Sequence, residues 1–319
     1  MSLHLVAEQA SVILGGDPLS EHWARHFRTR HPDLQSRWAS GLECCRAKAL
    51  NRPQVTEYFN ILVELITKYN IIPSNIYNMD EKGVQLGIGK RTLVLVDRDQ
   101  KTIQHLENGD RELVTIIETV CADGSSVPPS VIFKALRRNL AWSRNNPDQA
   151  SISVSPNGWT DNELGLKWLQ NDFEPASAAR NPSSGWRLLI LDGHNSHCTF
   201  KFVKFCHDHH IVLLCLPSHT THRLQPCDVG VFGPLASSWK SEVNKASEAG
   251  ISITKGNFLE FYHKARQRAF TPSTIQAAFR KTGIHPLDPN IIEDAAYAPA
   301  LNTTTQSAQP MPATLPTLL

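Results

Sequence analysis

The sequence predicts a mixed α/β sheet covered by helices on both faces and preceded by a small helical segment. Two patterns predict it. Up to about Tyr69, apolar residues recur every three or four positions, the spacing of a helix face. From Ile71, short apolar runs come first and then alternate with helical stretches, which is how a sheet with both faces covered reads.

Taken in order, Trp23 and Phe27 stand four apart, with Arg25, Arg28 and Arg30 between or beyond them. His31-Pro32-Asp33 breaks the pattern, and Leu34 and Trp38 resume it, with Arg37 beside them. Two aromatic-anchored helices around a tight turn suit either the end of a helix-turn-helix module or a hairpin that only packs on the main domain. Asn51 can cap a longer helix with Pro53 in its first turn. Its apolar positions Val55, Phe59, Leu62, Ile66 and Tyr69 form one stripe, as in a connector packed on the next domain.

Strands are expected at Ile76–Met79, Thr92–Val96, Leu113–Val120, Val127–Phe133, Arg187–Leu191 and Ile211–Leu216. Thr160 and Glu163 have capping-box spacing for a helix through Trp168 and Leu169, and Ser273 and Gln276 for a helix ending near Gly283. Further helices are expected over Asn195–His209, Gln225–Ser247 and Asn257–Phe270. The resulting layout is a helical segment over 1–52, a connector over 53–73, the sheet domain over 74–250, a helical extension over 251–298 and a disordered tail over 299–319.

Composition narrows the partners. The chain has 319 residues, 41% of them hydrophobic, enough for a real core, and a formal charge of only +2. The charge is local. His22–Arg52 holds seven Lys/Arg against two Asp/Glu, and Ser237–Thr282 holds eight against three. Two basic segments on a near-neutral chain suit polyanion contact or ordinary solvated helix faces. The seven cysteines show no C-x-x-C pair, which fits a reducing compartment. No apolar run approaches the ~20 residues that span a bilayer, and the first residues lack a secretory pattern, so a soluble, intracellular protein is expected.

Three acids carry the chemistry. Asp80 follows Ile76–Met79, Asp192 follows the apolar run Arg187–Leu191, and Asp228 stands at the entry to a helix. An acid directly after a buried strand emerges at the sheet edge where ligands bind in α/β folds. One such Asp alone is more often a cap or turn residue. Three together suit Mg²⁺, a hard cation that takes few carboxylates and several waters. Two such ions about 4 Å apart can clamp the attacking and leaving oxygens of a displacement at phosphorus. Without cation the three carboxylates repel, so the cluster should keep a proton or relax apart. Glu81, on a continuing strand, would point to the opposite face and is not counted as a ligand.

These residues sit in longer strings: Tyr77-Asn78-Met79-Asp80-Glu81-Lys82-Gly83, Leu191-Asp192-Gly193-His194-Asn195-Ser196-His197, and Leu216-Pro217-Ser218 through Gln225-Pro226-Cys227-Asp228-Val229-Gly230-Val231-Phe232. Together they resemble the DDE-superfamily transposase core of the pogo/Tigger-like branch of the Tc/mariner group. The 35 residues between Asp192 and Asp228 match the spacing of its fungal pogo-like members. Asn157-Gly158-Trp159 and Ala278-Phe279-Arg280-Lys281-Thr282-Gly283-Ile284-His285-Pro286 support the resemblance, which runs from about Trp23 to Pro289.

The resemblance implies an RNase H-like fold, with the first acid on the first strand, the second just after the fourth, and the third on or before a helix. It implies a DNA endonuclease and strand transferase that uses two Mg²⁺ or Mn²⁺ ions held by Asp80, Asp192 and Asp228. It also implies double-stranded DNA as partner (transposon ends and a TA target), a nuclear location, and a homodimer as an admissible assembly. Residues 1–52 become part of a centromere-protein-B-type helix-turn-helix segment. Arg25, Arg28, Arg30, Arg37, Lys82, His194 and His197 become DNA contacts. The chain departs from the family where Cys227 replaces the usual Leu, where Ala236 replaces the usual Lys, and in having only about fifty residues before the connector. An N-terminally shortened or decayed copy is therefore expected, and a non-catalytic DNA-binding descendant is the alternative. The histidines and cysteines between His194 and His210 lack a second pair at zinc-finger spacing.

Overall fold

Sheet register decides where the three aspartates lie. The computed structural model describes residues 7, 10–11, 13–15, 19–31, 50, 52–87, 112–192, 199–218, 220–294 and 296–297. The chain divides into two compact units, Met1–Glu43 and Cys44–Leu319. In the first unit, α1 (Glu21–Arg30) forms around the expected aromatic pair. Trp23 and Phe27 stack with centroids 5.3 Å apart, and Arg25, Arg28 and Arg30 are exposed. The expected second helix around Leu34 and Trp38 lies outside the described residues, as do Arg37, Thr92–Val96 and the tail.

The second unit opens with the connector, α2 (Arg52–Tyr69). Val55, Phe59 and Leu62 of its stripe are buried with Tyr58, while Ile66 and Tyr69 pack partly buried on the same core. Six strands follow: β1 (Ile76–Gln85), β2 (Leu113–Cys121), β3 (Ser130–Lys134), β4 (Ser151–Ser155), β5 (Arg187–Leu191) and β6 (Ile211–Cys215). Their order in the sheet is β4-β3-β2-β1-β5-β6. β1 runs antiparallel to β2 and β2 to β3, whereas β3–β4, β1–β5 and β5–β6 are parallel.

Side chains alternate between the two faces of such a sheet. Ile76, Val84, Leu188 and Ile190 enter one core, and Tyr77, Met79, Leu189 and Leu191 enter the other. The second face is covered by α3 (Asn162–Trp168), a π-helical turn over Leu169–Phe173, α4 (Glu174–Ala179) and α5 (Phe200–Asp208). A short α6 (Thr221–Leu224) leads to a second π turn, Cys227–Val231. Then α7 (Phe232–Glu248), α8 (Phe258–Ala269) and α9 (Pro272–Lys281) cover the first face through Trp239, Phe258, Tyr262 and Phe279.

Several expectations change. β3 starts at Ser130 rather than Val127, because Pro128 and Pro129 have no N–H to give to a ladder. The edge strand β4 has no clear sequence signal, since its Ser-Ile-Ser-Val-Ser pattern carries few apolar residues. Asp192 therefore follows the fifth described strand, not the fourth. The cap of α3 is Asp161 rather than Thr160, its carboxylate accepting the N–H groups of Glu163 and Leu164 at 3.0 and 2.8 Å. The cap of α9 is Thr271 rather than Ser273, and Gln276 donates instead to the Asp123 carbonyl at 2.8 Å. The mostly helical stretch expected over Gln225–Ser247 divides into the π turn and α7.

Candidate active site

Asp80 does not end its strand. β1 continues to Gln85, paired with β2 along its whole described length. On the other side, the pairing with β5 stops at Asn78 opposite Ile190. Carrying that register two residues further brings Asp80 level with Asp192, where the two parallel strands part. Both residues follow the alternation onto the face of Ile76 and Ile190. Asp228 stands on the π turn Cys227–Val231, a local widening of the helix common at functional sites, and its charge acts on Asp80. That turn is pinned. The Cys227 N–H donates to the Asn78 side-chain oxygen at 3.0 Å, and a Cβ on Gly230 would lie 2.5 Å from that of Ala278 in α9.

Asp80 feels the charges of the other two acids. Burial holds the Asp80 carboxyl well above the usual carboxylate range, and the charges of Asp228 and, less strongly, Asp192 add to the rise. The Glu81 N–H, donating to Asp80 Oδ1 at 2.8 Å, and the nearby Gln225 amide oppose it. Gln225 is fully buried, and neither end of its amide has a hydrogen-bond partner of ordinary geometry in the protein. The Cys227 thiol is pushed far up by burial, with Asp80, Glu118 and Asp228 adding, so it stays neutral and is a poor nucleophile. Among the described residues, no three His, Cys, Asp or Glu side chains are arranged closely enough to hold an ion.

Other expected residues fall as follows. Glu81 alternates to the face of Tyr77 and Met79. Lys82 shares the face of Asp80, with its Nζ 5.3 Å from the centre of the Phe232 ring. His194 and His197 lie outside the described residues. His209 stacks on Phe205 at 3.8 Å and His210 on Trp186 at 4.8 Å, which gives both a packing role. A cleft lined by Ile132, Ser151, Trp168 and Asp172 belongs to the other sheet face and contains none of the three acids.

Two residues of the site escape a reading of the sequence. Glu118, opposite Asp80 on β2, is buried on the same face and is held by Arg266 and Tyr262 of α8. Its only signal is being a lone acid inside the apolar run Leu113–Val120. Asn78 has no signal beyond being a polar residue in a buried strand.

The profile of the DDE superfamily endonuclease family matches residues 110–279, which include Asp192 and Asp228. A Cochliobolus lunatus protein named MFS-type transporter clz9 is 34% identical over 228 residues, covering 70% of this chain and 25% of that protein. The mouse protein named Pogo transposable element with KRAB domain is 24% identical over 289 residues, covering 88% of this chain and 46% of that protein. The chain thus spans between a quarter and a half of the length of these relatives. No helix among the described residues is long and apolar enough to cross a membrane. Among solved structures, the Mos1 strand transfer complex superposes with a TM-score of 0.54 at 14% identity, covering 96% of this chain and 74% of that one. A Mos1 transposase paired-end complex gives 0.50 at 13%, covering 87% and 74%. The mixed, helix-flanked sheet is therefore the RNase H-like fold expected from the sequence.

Proposed function

We propose a reaction for this chain on the premise that it belongs to the DDE superfamily of endonucleases: it cuts DNA strands and joins freed 3′-hydroxyls to target DNA. Asp80, Asp192 and Asp228 are the groups that hold two divalent cations, Mg²⁺ or Mn²⁺. The observation that carries this reading is the sheet register, which brings Asp80 level with Asp192 where β1 and β5 part, with Asp228 near enough for its charge to raise the Asp80 carboxyl. The donor set fits: three carboxylates, one of them carrying an unfavourable charge, beside the buried amide of Gln225. Cations bound there would supply charge stabilisation at phosphorus and lower the pKa of the attacking hydroxyl or water.

The chain's own residues set the rest. Asp80, mid-strand and paired to β2, is the rigid member. Asp192 stands at a strand end, and Asp228 is exposed on its turn and so reaches the substrate side. A cation held there would require the Asp80 carboxyl in its ionised form. Lys82, His194 and His197 are placed by this reading along the scissile strand. The substrate is double-stranded DNA, namely transposon ends and a TA target, whose easily unstacked step lowers the cost of bending. Two copies acting on paired ends, in the nucleus, complete the proposal. The Pogo and Mos1 names of the relatives support it.

Supercoiled plasmid incubated with Mg²⁺ or Mn²⁺ should become nicked by the wild-type chain and remain supercoiled with Asp192→Asn or with a chelator. Equal nicking by both proteins, or none by either, refutes catalysis and leaves a non-catalytic DNA-binding descendant. DNA contact by α1 has its own test. Changing Arg25, Arg28 and Arg30 to Ala should flatten the slope of log affinity against log salt by about 3, roughly one for each phosphate no longer neutralised. An unchanged slope would remove those arginines from the interface.

A further inference from the structure

We infer that Asn78 is a positioning residue that fixes the three acid-bearing segments relative to one another; this rests on the reading of Asp80, Asp192 and Asp228 as cation ligands. Asn78 is completely buried. It precedes Asp80 by two residues on β1. Its Nδ2 donates to the carbonyl of Ile190, two residues before Asp192, at 3.0 Å. Its Oδ1 accepts the N–H of Cys227, the residue before Asp228, at 3.0 Å. The Cys227 thiol also lies 3.9 Å from the Asn78 carbonyl oxygen. One amide therefore touches the backbone of all three segments within two residues of each acid.

The location explains the need. Backbone pairing between β1 and β5 ends at Asn78 and Ile190. Beyond that point no described ladder bond joins β1 to β5, the strands that lead to Asp80 and Asp192, and the π turn belongs to no strand. A side-chain amide, which donates from its nitrogen and accepts at its oxygen, spans both gaps, which no apolar residue could do. Both bonds are buried, where losing a partner leaves an unsatisfied backbone group. Outer-shell groups of this kind set ligand geometry, and removing one costs ~10–100-fold in cation affinity.

Asn75 offers a matched control. It is also buried, immediately before β1, and its Nδ2 donates to Asn181 Oδ1 at 3.1 Å, away from the acids. Mn²⁺ binding by calorimetry would be compared in wild type, Asn78→Leu, Asn78→Ala and Asn75→Ala, with urea midpoints and hydrogen exchange of the segment around Cys227 measured on each. The expected result is Mn²⁺ binding weakened about tenfold or more in both Asn78 variants, with faster exchange at Cys227, and unchanged in Asn75→Ala despite a similar loss of stability. Mn²⁺ affinity equal to wild type in the Asn78 variants would overturn the inference alone. So would equal weakening in Asn75→Ala, since the effect would then be general softening. Should Asn78→Leu fail to fold, Asn78→Ala carries the same comparison. A wild type that binds no Mn²⁺ would overturn the cation reading and this inference with it.

Discussion

An Asp80→Asn protein should lose strand cleavage and still be more stable than wild type at neutral pH without added cation. The loss follows from removing a cation ligand, several kcal/mol of barrier and so about 10³-fold or more in rate. The stability gain follows from the position of Asp80. Its carboxyl is half-buried on a strand, and its pKa is raised first by burial and then by Asp228 and Asp192. A raised acid binds its proton more tightly in the folded chain than in the unfolded one. Between the ordinary value, about 4, and the raised one, the folded state therefore holds more protons, and stability falls as pH rises through that window.

Asparagine keeps the shape and carries no charge, so the variant should lack this contribution to the slope. Urea unfolding in chelator at about pH 8 should favour it by about 1–2 kcal/mol, with the gap closing toward about pH 4. Excess Mn²⁺ should narrow the gap by stabilising the wild type alone. A variant less stable than wild type at every pH would mean that Asp80 is well accommodated, and the crowding of the three acids would have to be abandoned.

How much of this site can be read in the sequence depends on how far each cause lies along the chain. Asp192 is the clearest case, because five consecutive buried residues of β5 run straight into it. The two sheet faces follow from period-2 alternation, which needs only local pattern. Asp80 is legible as a candidate ligand, but its surroundings suggest a strand end. Glu81, Lys82 and Gly83 look like a turn, and only the pairing with β2 keeps them extended. The π turn of Asp228 reads as ordinary helix, because nothing in Cys227–Val231 announces that Asn78 and Ala278 will press on it from 149 and about fifty residues away. Caps shift by one or two residues because Thr160 and Asp161, like Thr271 and Ser273, are alternative acceptors, and the backbone path decides between them.

The same distance hides Glu118 and Arg266, whose separation should make Arg266→Met the most destabilising single change in the sheet domain. Glu118 faces Asp80 across the β1–β2 ladder and is completely buried. Burial pushes its carboxyl up, while Arg266 and the Tyr262 hydroxyl pull it back. The Arg266 Nε lies 2.9 and 3.2 Å from the two carboxylate oxygens and its Nη2 lies 3.0 Å from the second, while Tyr262 donates at 2.7 Å. Nη2 also donates to Ser126 Oγ at 3.1 Å and to the Val127 carbonyl at 2.8 Å, so one guanidinium satisfies several buried groups.

Methionine fills the space and removes the charge, which strands the carboxylate at a cost of about 3–5 kcal/mol. Part of that cost should vanish at low pH, where Glu118 can protonate. Adding Glu118→Leu to Arg266→Met should recover most of the loss, because an apolar pair needs no compensation. Urea midpoints at constant slope test both statements, and a single variant costing under about 1 kcal/mol would show the ion pair to be dispensable. The consequence reaches the acids as well. With Arg266 gone, Glu118 becomes an uncompensated carboxyl one strand from Asp80, and the pKa of Asp80 should rise further. Arg266 therefore keeps a structural acid electrically apart from the three that the proposed chemistry needs.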